Sequence, residues 1–190
     1  MNRFHRWYCR SDRWASALHE KLMPWALCDV VPGDDVLEIG PGPGLTTDSL
    51  RDWAPRLTAI EIDPALADTL RMRMSGTNVD VVTGDATALP FVDGRFSSAV
   101  SFTMLHHVPS AEQQNHVLAE VRRVLRPGGT FAGSDSNGGF LFRLAHLFDT
   151  MVMVDPNRFG SRLEGAGFVD AVVLQGQGAF RFRATRPSEI

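Results

Sequence analysis

From Asp35 onward, short apolar, β-branched runs alternate with stretches whose apolar residues recur at helical spacing. That is the pattern of successive βαβ units around a mainly parallel sheet. Val36–Ile39 reads as the first strand, opened by the turn Val31-Pro32-Gly33-Asp34 and followed by a glycine-rich loop and a helix over about 45–53. Further strands are expected at Leu57–Ile62, Val79–Val82 and Phe96–Phe102. Asp63 and Pro64 suit the N-cap and first position of an intervening helix. A helix over 110–125 should stop at Arg126-Pro127-Gly128-Gly129, ahead of a fifth strand at Thr130–Gly133. Gly139–Val154 reads as an apolar helix, and Asp155-Pro156 caps another that ends at Gly165-Ala166-Gly167. Phe168–Leu174 and Ala179–Ala184 close the pattern as an antiparallel hairpin. The connections are short, so a single doubly wound α/β domain is expected over 31–190, behind a helical segment at 1–30.

Three strand ends carry candidate chemistry. Gly40, Gly42 and Gly44 follow the first strand, where glycine lets the backbone turn sharply and approach a ligand. Their spacing is GxGxG; Leu45 and Thr47 stand where a nicotinamide-type GxGxxG would need its third glycine. Taken alone, the loop is either a ligand cradle or a tight strand-to-helix turn. Glu61 ends the second strand, where a carboxylate accepts hydrogen bonds from ribose hydroxyls, although an acid there also serves as a solvated group. Gly84-Asp85-Ala86-Thr87-Ala88-Leu89-Pro90-Phe91 follows the third strand, with Asp85 as an acceptor for an exocyclic amine and Leu89 and Phe91 as apolar walls. All three lie on the sheet edge where doubly wound folds bind ligands.

Composition adds exclusions. The 190 residues carry a net charge of −3, which gives no general reason to expect nucleic acid as partner. Lys21 is the only lysine. Cys9 and Cys28 make no disulfide framework, and neither a signal-peptide run nor an apolar span is apparent, so a cytoplasmic location is expected.

Together these segments resemble the class I S-adenosylmethionine (SAM)-dependent methyltransferases, in particular the branch of the ubiquinone/menaquinone-biosynthesis enzymes. VLEIGPGPG, AIEIDP, GDATALPF, FSSAVSFTMLHHV, LRPGGTF and LEGAGF carry the resemblance, which runs from about Pro32 to Pro187. It implies SAM as cofactor and a seven-stranded sheet in the order 3-2-1-4-5-7-6 with strand 7 antiparallel. By position, Gly40, Gly42 and Gly44 would face the amino acid half of SAM, Glu61 the ribose, and Asp85 and the Ala86 N–H the adenine. Glu38, Ile62 and Ser101 complete the implied cofactor-binding set. No [DN]PP[YF] segment follows the fourth strand, which disfavours methylation of base or glutamine amines. No metal is expected; Asp135 and Asn137 are the nearest candidate ligands.

The sulfonium of SAM is itself electrophilic, so the protein's task is alignment. His106, more than the adjacent His107, is the candidate general base for an oxygen acceptor, with His146 a weaker one. The alternative is that both loop histidines are structural. Phe140, Leu141, Leu144, Ala145, Leu147 and Phe148 are expected either to wall the acceptor pocket or to be ordinary core. In the N-terminal segment, Arg3, Arg6, Arg10 and Arg13 share one helical face, beside Phe4, Trp7, Tyr8, Trp14, Leu18 and Leu22. Such a helix would form a lid or rest on an anionic membrane surface. His5 and Cys9 lie four apart but are too few for a metal site. The resulting expectation is a methyltransferase, monomeric or homodimeric, acting on a small, largely apolar acceptor such as a quinone precursor, phenol, polyketide or lipid, without nucleic acid. Whether oxygen, carbon or nitrogen is methylated stays open. The alternatives are a catalytically silent SAM-fold binding protein and, disfavoured by the glycine spacing, a nicotinamide-dependent reductase.

Overall fold

A computed structural model describes residues 11–138 and 151–188. Its sheet has seven strands: β1 (Val36–Ile39), β2 (Leu57–Glu61), β3 (Val79–Thr83), β4 (Phe96–Phe102), β5 (Leu125–Ser136), β6 (Val169–Gln175) and β7 (Ala179–Thr185). Their order is β3-β2-β1-β4-β5-β7-β6. β1 to β5 pair in parallel, while β7 runs antiparallel to both β5 and β6. The helices are α1 (Asp12–Ala17) and α2 (Met23–Leu27), joined by a π-helical turn at Leu18–Leu22, then α3 (Leu45–Trp53), α4 (Pro64–Arg73), α5 (Ala111–Val124) and α6 (Pro156–Gly165).

Every residue of β1 and β2 is buried, because helices cover both faces of the central strands. Alternate side chains separate the two layers. Val36, Leu57, Val100 and Phe102 face Leu50 of α3 and Leu18, Met23 and Ala26 of the N-terminal helix. Leu37, Ile39, Phe96 and Ala99 face Val117, Leu118 and Val121 of α5 and Phe159 and Leu163 of α6. Each of these larger side chains contributes about 1.5–3 kcal/mol on leaving water. The N-terminal helix is thus part of the core as well as a cover.

Local chemistry sets the helix starts. Asp63 Oδ1 accepts from the Ala65 and Leu66 amides, Ser110 Oγ from Gln113 and Asp155 Oδ1 from Asn157. Pro64 and Pro156 hold the first helical positions, where no amide donor is needed.

The largest departures from the sequence reading are at β5 and at the helix expected before Asp155. β5 extends past Gly133 to Ser136, because β7 pairs with it as far as Ser136 opposite Ala179. A lone bridge from Leu125 to Phe96 precedes an irregularity, and the regular ladder begins at Thr130 opposite Ser98. The helix expected over Gly139–Val154 does not reach its stated end, since residues 151–155 are irregular. There the Val152 amide donates to the His106 carbonyl (2.9 Å), and Gln114 Nε2 donates to the Val152 carbonyl (2.8 Å). The remainder of that helix, with Phe140, Leu141, Leu144, Ala145, His146, Leu147 and Phe148, lies outside the described residues, as do residues 1–10 with Arg3, Arg6, Arg10, His5 and Cys9.

Candidate active site

The chain order reverses between β1 and β4, and a cavity of about 1400 Å³ opens at the carboxyl ends of these strands. Glycine makes its floor. Gly42 has φ 54°, and a Cβ there would meet nothing within 4 Å, so the loop leaves open space above its backbone. Glu61, at the end of β2, ties this loop down: Oε2 accepts from the Gly42 amide (2.9 Å) and Oε1 from the Asp63 amide (3.0 Å). Each carboxylate oxygen keeps a second acceptor direction for a ligand hydroxyl. Ile62 is 65% exposed and lines the cavity with Asp63, Asp85 and Ala86. Asp85 Oδ1 accepts from the Thr87 amide (2.8 Å), which fixes the turn after β3. Open space over Gly42 beside two oriented carboxylates fits the adenosyl and amino acid parts of SAM.

Not every implied residue reaches the cavity. Gly40, Gly42, Glu61, Ile62, Asp85, Ala86 and His106 line it; Glu38, Gly44 and Ser101 do not. Glu38 lies beneath the loop and accepts from the hydroxyls of Thr46 and Thr47 (2.6 Å for Thr47) at the start of α3. Burial, only partly opposed by these two hydrogen bonds, pushes its carboxyl up to about 7. Gly44 is packed against Leu70 and Arg73 of α4. Ser101 sits inside β4 opposite Gly133, where any Cβ would collide with the Ser101 carbonyl. Leu89 and Phe91, expected as pocket walls, do not line the cavity. Leu89 is buried and its amide donates to Glu120 of α5 (2.7 Å), while the Phe91 ring packs edge-on against Phe96.

On the other side, β4 is followed by Thr103, whose φ of 50° is a strained conformation for a β-branched residue. Its amide donates to the Ser134 carbonyl (2.9 Å), which holds the turn. The next residues bring His106 against Asp135 at the end of β5. Nδ1 of His106 donates to Asp135 Oδ1 (2.5 Å), and the His106 amide donates to Oδ2 (3.2 Å). Both side chains are only 1% exposed. The carboxylate therefore sets the imidazole tautomer and ring plane. His107, half-buried, lies against His106 with ring centroids 4.2 Å apart and the rings tilted by 42°, and it also lines the cavity.

Sequence reasoning considered Asp135 only as a metal ligand and missed it as the partner of His106. Only the register of adjacent parallel strands, with Phe102 opposite Ser134, brings the two together. It likewise missed Lys21, Trp25 and the Gln175–Ala179 turn between β6 and β7 as cavity walls. Trp14, Leu18 and Leu22 line the cavity too, and Leu18 is 2% exposed. In the described part of the N-terminal helix this apolar stripe faces the cavity. Among the described residues, no cluster of three or more potential metal ligands occurs, and no helix is long and apolar enough to cross a membrane.

Comparison with known proteins agrees with this geometry. The methyltransferase-domain family model matches residues 37–133, about half of the chain, and the chain belongs to that family. Its cofactor is accordingly S-adenosylmethionine. The chain is 31% identical over 148 residues to a ribosomal RNA small subunit methyltransferase A from Leptothrix cholodnii, covering 70% of this chain and 54% of that protein. It is 30% identical over 99 residues to a demethylmenaquinone methyltransferase from Renibacterium salmoninarum, covering 52% and 40%. The chain thus spans about half or less of the length of these relatives. A SAM-dependent methyltransferase structure from Aquifex aeolicus shares the fold over 97% of this chain and 98% of its own, with a TM-score of 0.75 at 18% identity.

Proposed function

We propose that this chain transfers a methyl group from SAM to a small, largely apolar acceptor. The observation that carries the proposal is the cavity. At about 1400 Å³ among the described residues, it exceeds the ~300–1,000 Å³ of ordinary single-ligand pockets. Its carboxylates Glu61, Asp63 and Asp85 suit the cofactor, and its apolar walls Trp14, Leu22, Trp25 and Phe102 suit an apolar second molecule. The net charge of −3 supports a small acceptor over RNA, whose phosphates demand a basic footprint.

Bound SAM supplies an electrophilic methyl group. The chain's own residues supply position and proton transfer. Gly40 and Gly42 admit the cofactor's amino acid half, Glu61 accepts from its ribose and Asp85 from its adenine amine. His106 is the base for an acceptor hydroxyl: Asp135 occupies Nδ1, which directs proton uptake to Nε2 and stabilises the resulting imidazolium. The ring is enclosed, so its proton comes from a molecule bound against it and not from bulk water.

Calorimetric titration with SAM, S-adenosylhomocysteine and NADH tests the cofactor, followed by a methylation screen that sets phenols and quinone precursors against ribosomal RNA. Micromolar binding of the adenosyl ligands alone and turnover on small hydroxylated acceptors are expected. Binding without turnover on any acceptor would favour a silent SAM-binding protein, and methylation of RNA alone would overturn the acceptor class.

A further inference from the structure

Lys21 has no role in the site as described so far. It is the chain's only lysine and, among the described residues lining the cavity, the only lysine or arginine. The cavity's acids, Glu61, Asp63 and Asp85, follow β2 and β3. Lys21 belongs to a different wall, the N-terminal helix, among Trp14, Leu18, Leu22 and Trp25.

This wall is built to hold its position. His19 Nε2 donates to the Leu45 carbonyl at the start of α3 (2.9 Å), so its Nδ1 is the acceptor for Ser49 Oγ (3.2 Å). At the other end, Arg181 of β7 donates to the Trp25 carbonyl (3.1 Å) and pairs with Asp29 (3.1 Å). Between these tethers the helix takes a π turn over Leu18–Leu22, with the Met23 amide donating to the Leu18 carbonyl. Such turns are frequent at functional sites. The nearby arginines are committed elsewhere. Arg73 pairs with Asp48 and donates to the carbonyls of Pro43 and Gly44, and Arg181 is held by Asp29. No acidic side chain among the described residues pairs with Lys21.

We propose that Lys21 is the carboxylate-binding residue of this cavity, its ammonium capturing a carboxylate of a bound molecule. The proposal rests on the methyltransferase reading of the site. Two sources present that chemistry: the amino acid end of the cofactor, and an acid group on an aromatic acceptor seated between Trp14 and Trp25. An ammonium at the rim of an apolar, aromatic enclosure selects for charge without burying its own.

The test is calorimetry on the wild type, Lys21→Met and Lys21→Arg, with four probes. S-Adenosylhomocysteine and 5′-methylthioadenosine differ by the amino acid end. 4-Hydroxybenzoate and its methyl ester, titrated with S-adenosylhomocysteine saturating, differ by the acid. If the carboxylate is the cofactor's, Lys21→Met weakens S-adenosylhomocysteine by roughly three- to tenfold, leaves methylthioadenosine unchanged, and Lys21→Arg restores affinity. If it is the acceptor's, the wild type prefers the benzoate to its ester by a similar factor and Lys21→Met abolishes that preference. Equal affinities of wild type and Lys21→Met for all four probes would overturn the proposal, as would parallel loss of both adenosyl ligands. Failure of the wild type itself to bind S-adenosylhomocysteine would instead remove the functional reading on which the proposal rests.

Discussion

The two ends of the cavity are organised differently. Around the glycine loop, most side chains are held by near neighbours: Glu61 by the Asp63 amide, Glu38 by Thr46 and Thr47, and Asp85 by the Thr87 amide, with one longer contact from Glu61 to the Gly42 amide 19 residues back. At the acceptor end, contacts join distant parts of the chain. His106 meets Asp135 29 residues away, and Arg181 meets the Trp25 carbonyl across 156. A cofactor common to a family is served by one compact unit of β1, β2, β3 and their loops. The proposed acceptor end draws on the N-terminal helix, the β4 loop, the tip of β5 and the β6–β7 turn, and the N-terminal helix joins it to the first unit by packing on Val36, Leu57 and Leu50.

The largest effect should come from the acceptor end. His106→Ala is expected to lower turnover by about 10²- to 10⁴-fold with SAM affinity unchanged, and Asp135→Asn to lower it as well by releasing the imidazole from its fixed tautomer. Turnover retained in His106→Ala but lost in His107→Ala would move the base to the half-buried neighbour.

At the cofactor end, Glu38 makes stability depend on pH. Its carboxyl titrates near 7 in the fold against an ordinary value of 4.5, so between these values the folded state binds the proton more tightly than the unfolded one. The contribution is complete below about pH 4.5 and is lost as pH rises through about 7, an amount of about 3 kcal/mol. Glu38→Gln, which resembles the protonated form, should lack this slope in urea unfolding across pH 4.5–8. The same slope in wild type and variant would contradict the assignment.

Glu61→Ala should weaken SAM binding by roughly 1–3 kcal/mol, read by calorimetry, because ribose acceptors and the clamp on Gly42 go together. Unchanged affinity would break the division of the cavity into two ends. The smallest effect belongs to Asp63→Ala, which removes the α4 cap and should cost about 1 kcal/mol of thermal stability while barely altering turnover.

The sequence by itself determined what depends on neighbouring residues. Hydrophobic runs placed all seven strands, caps and prolines placed α4 and α6, and the glycine loop with Glu61 and Asp85 marked one side of the cavity. These features are legible because a strand, a cap or a glycine turn is set by the residues within a few positions of it. Only the tertiary structure decided which side chains face the cavity. Strand register turned Glu38 and Ser101 away from the cavity and brought Asp135 to His106, while contacts with Glu120 and Phe96 drew Leu89 into the core and Phe91 against it. No local spacing encodes those meetings, because they depend on which strands lie side by side and how their ends align.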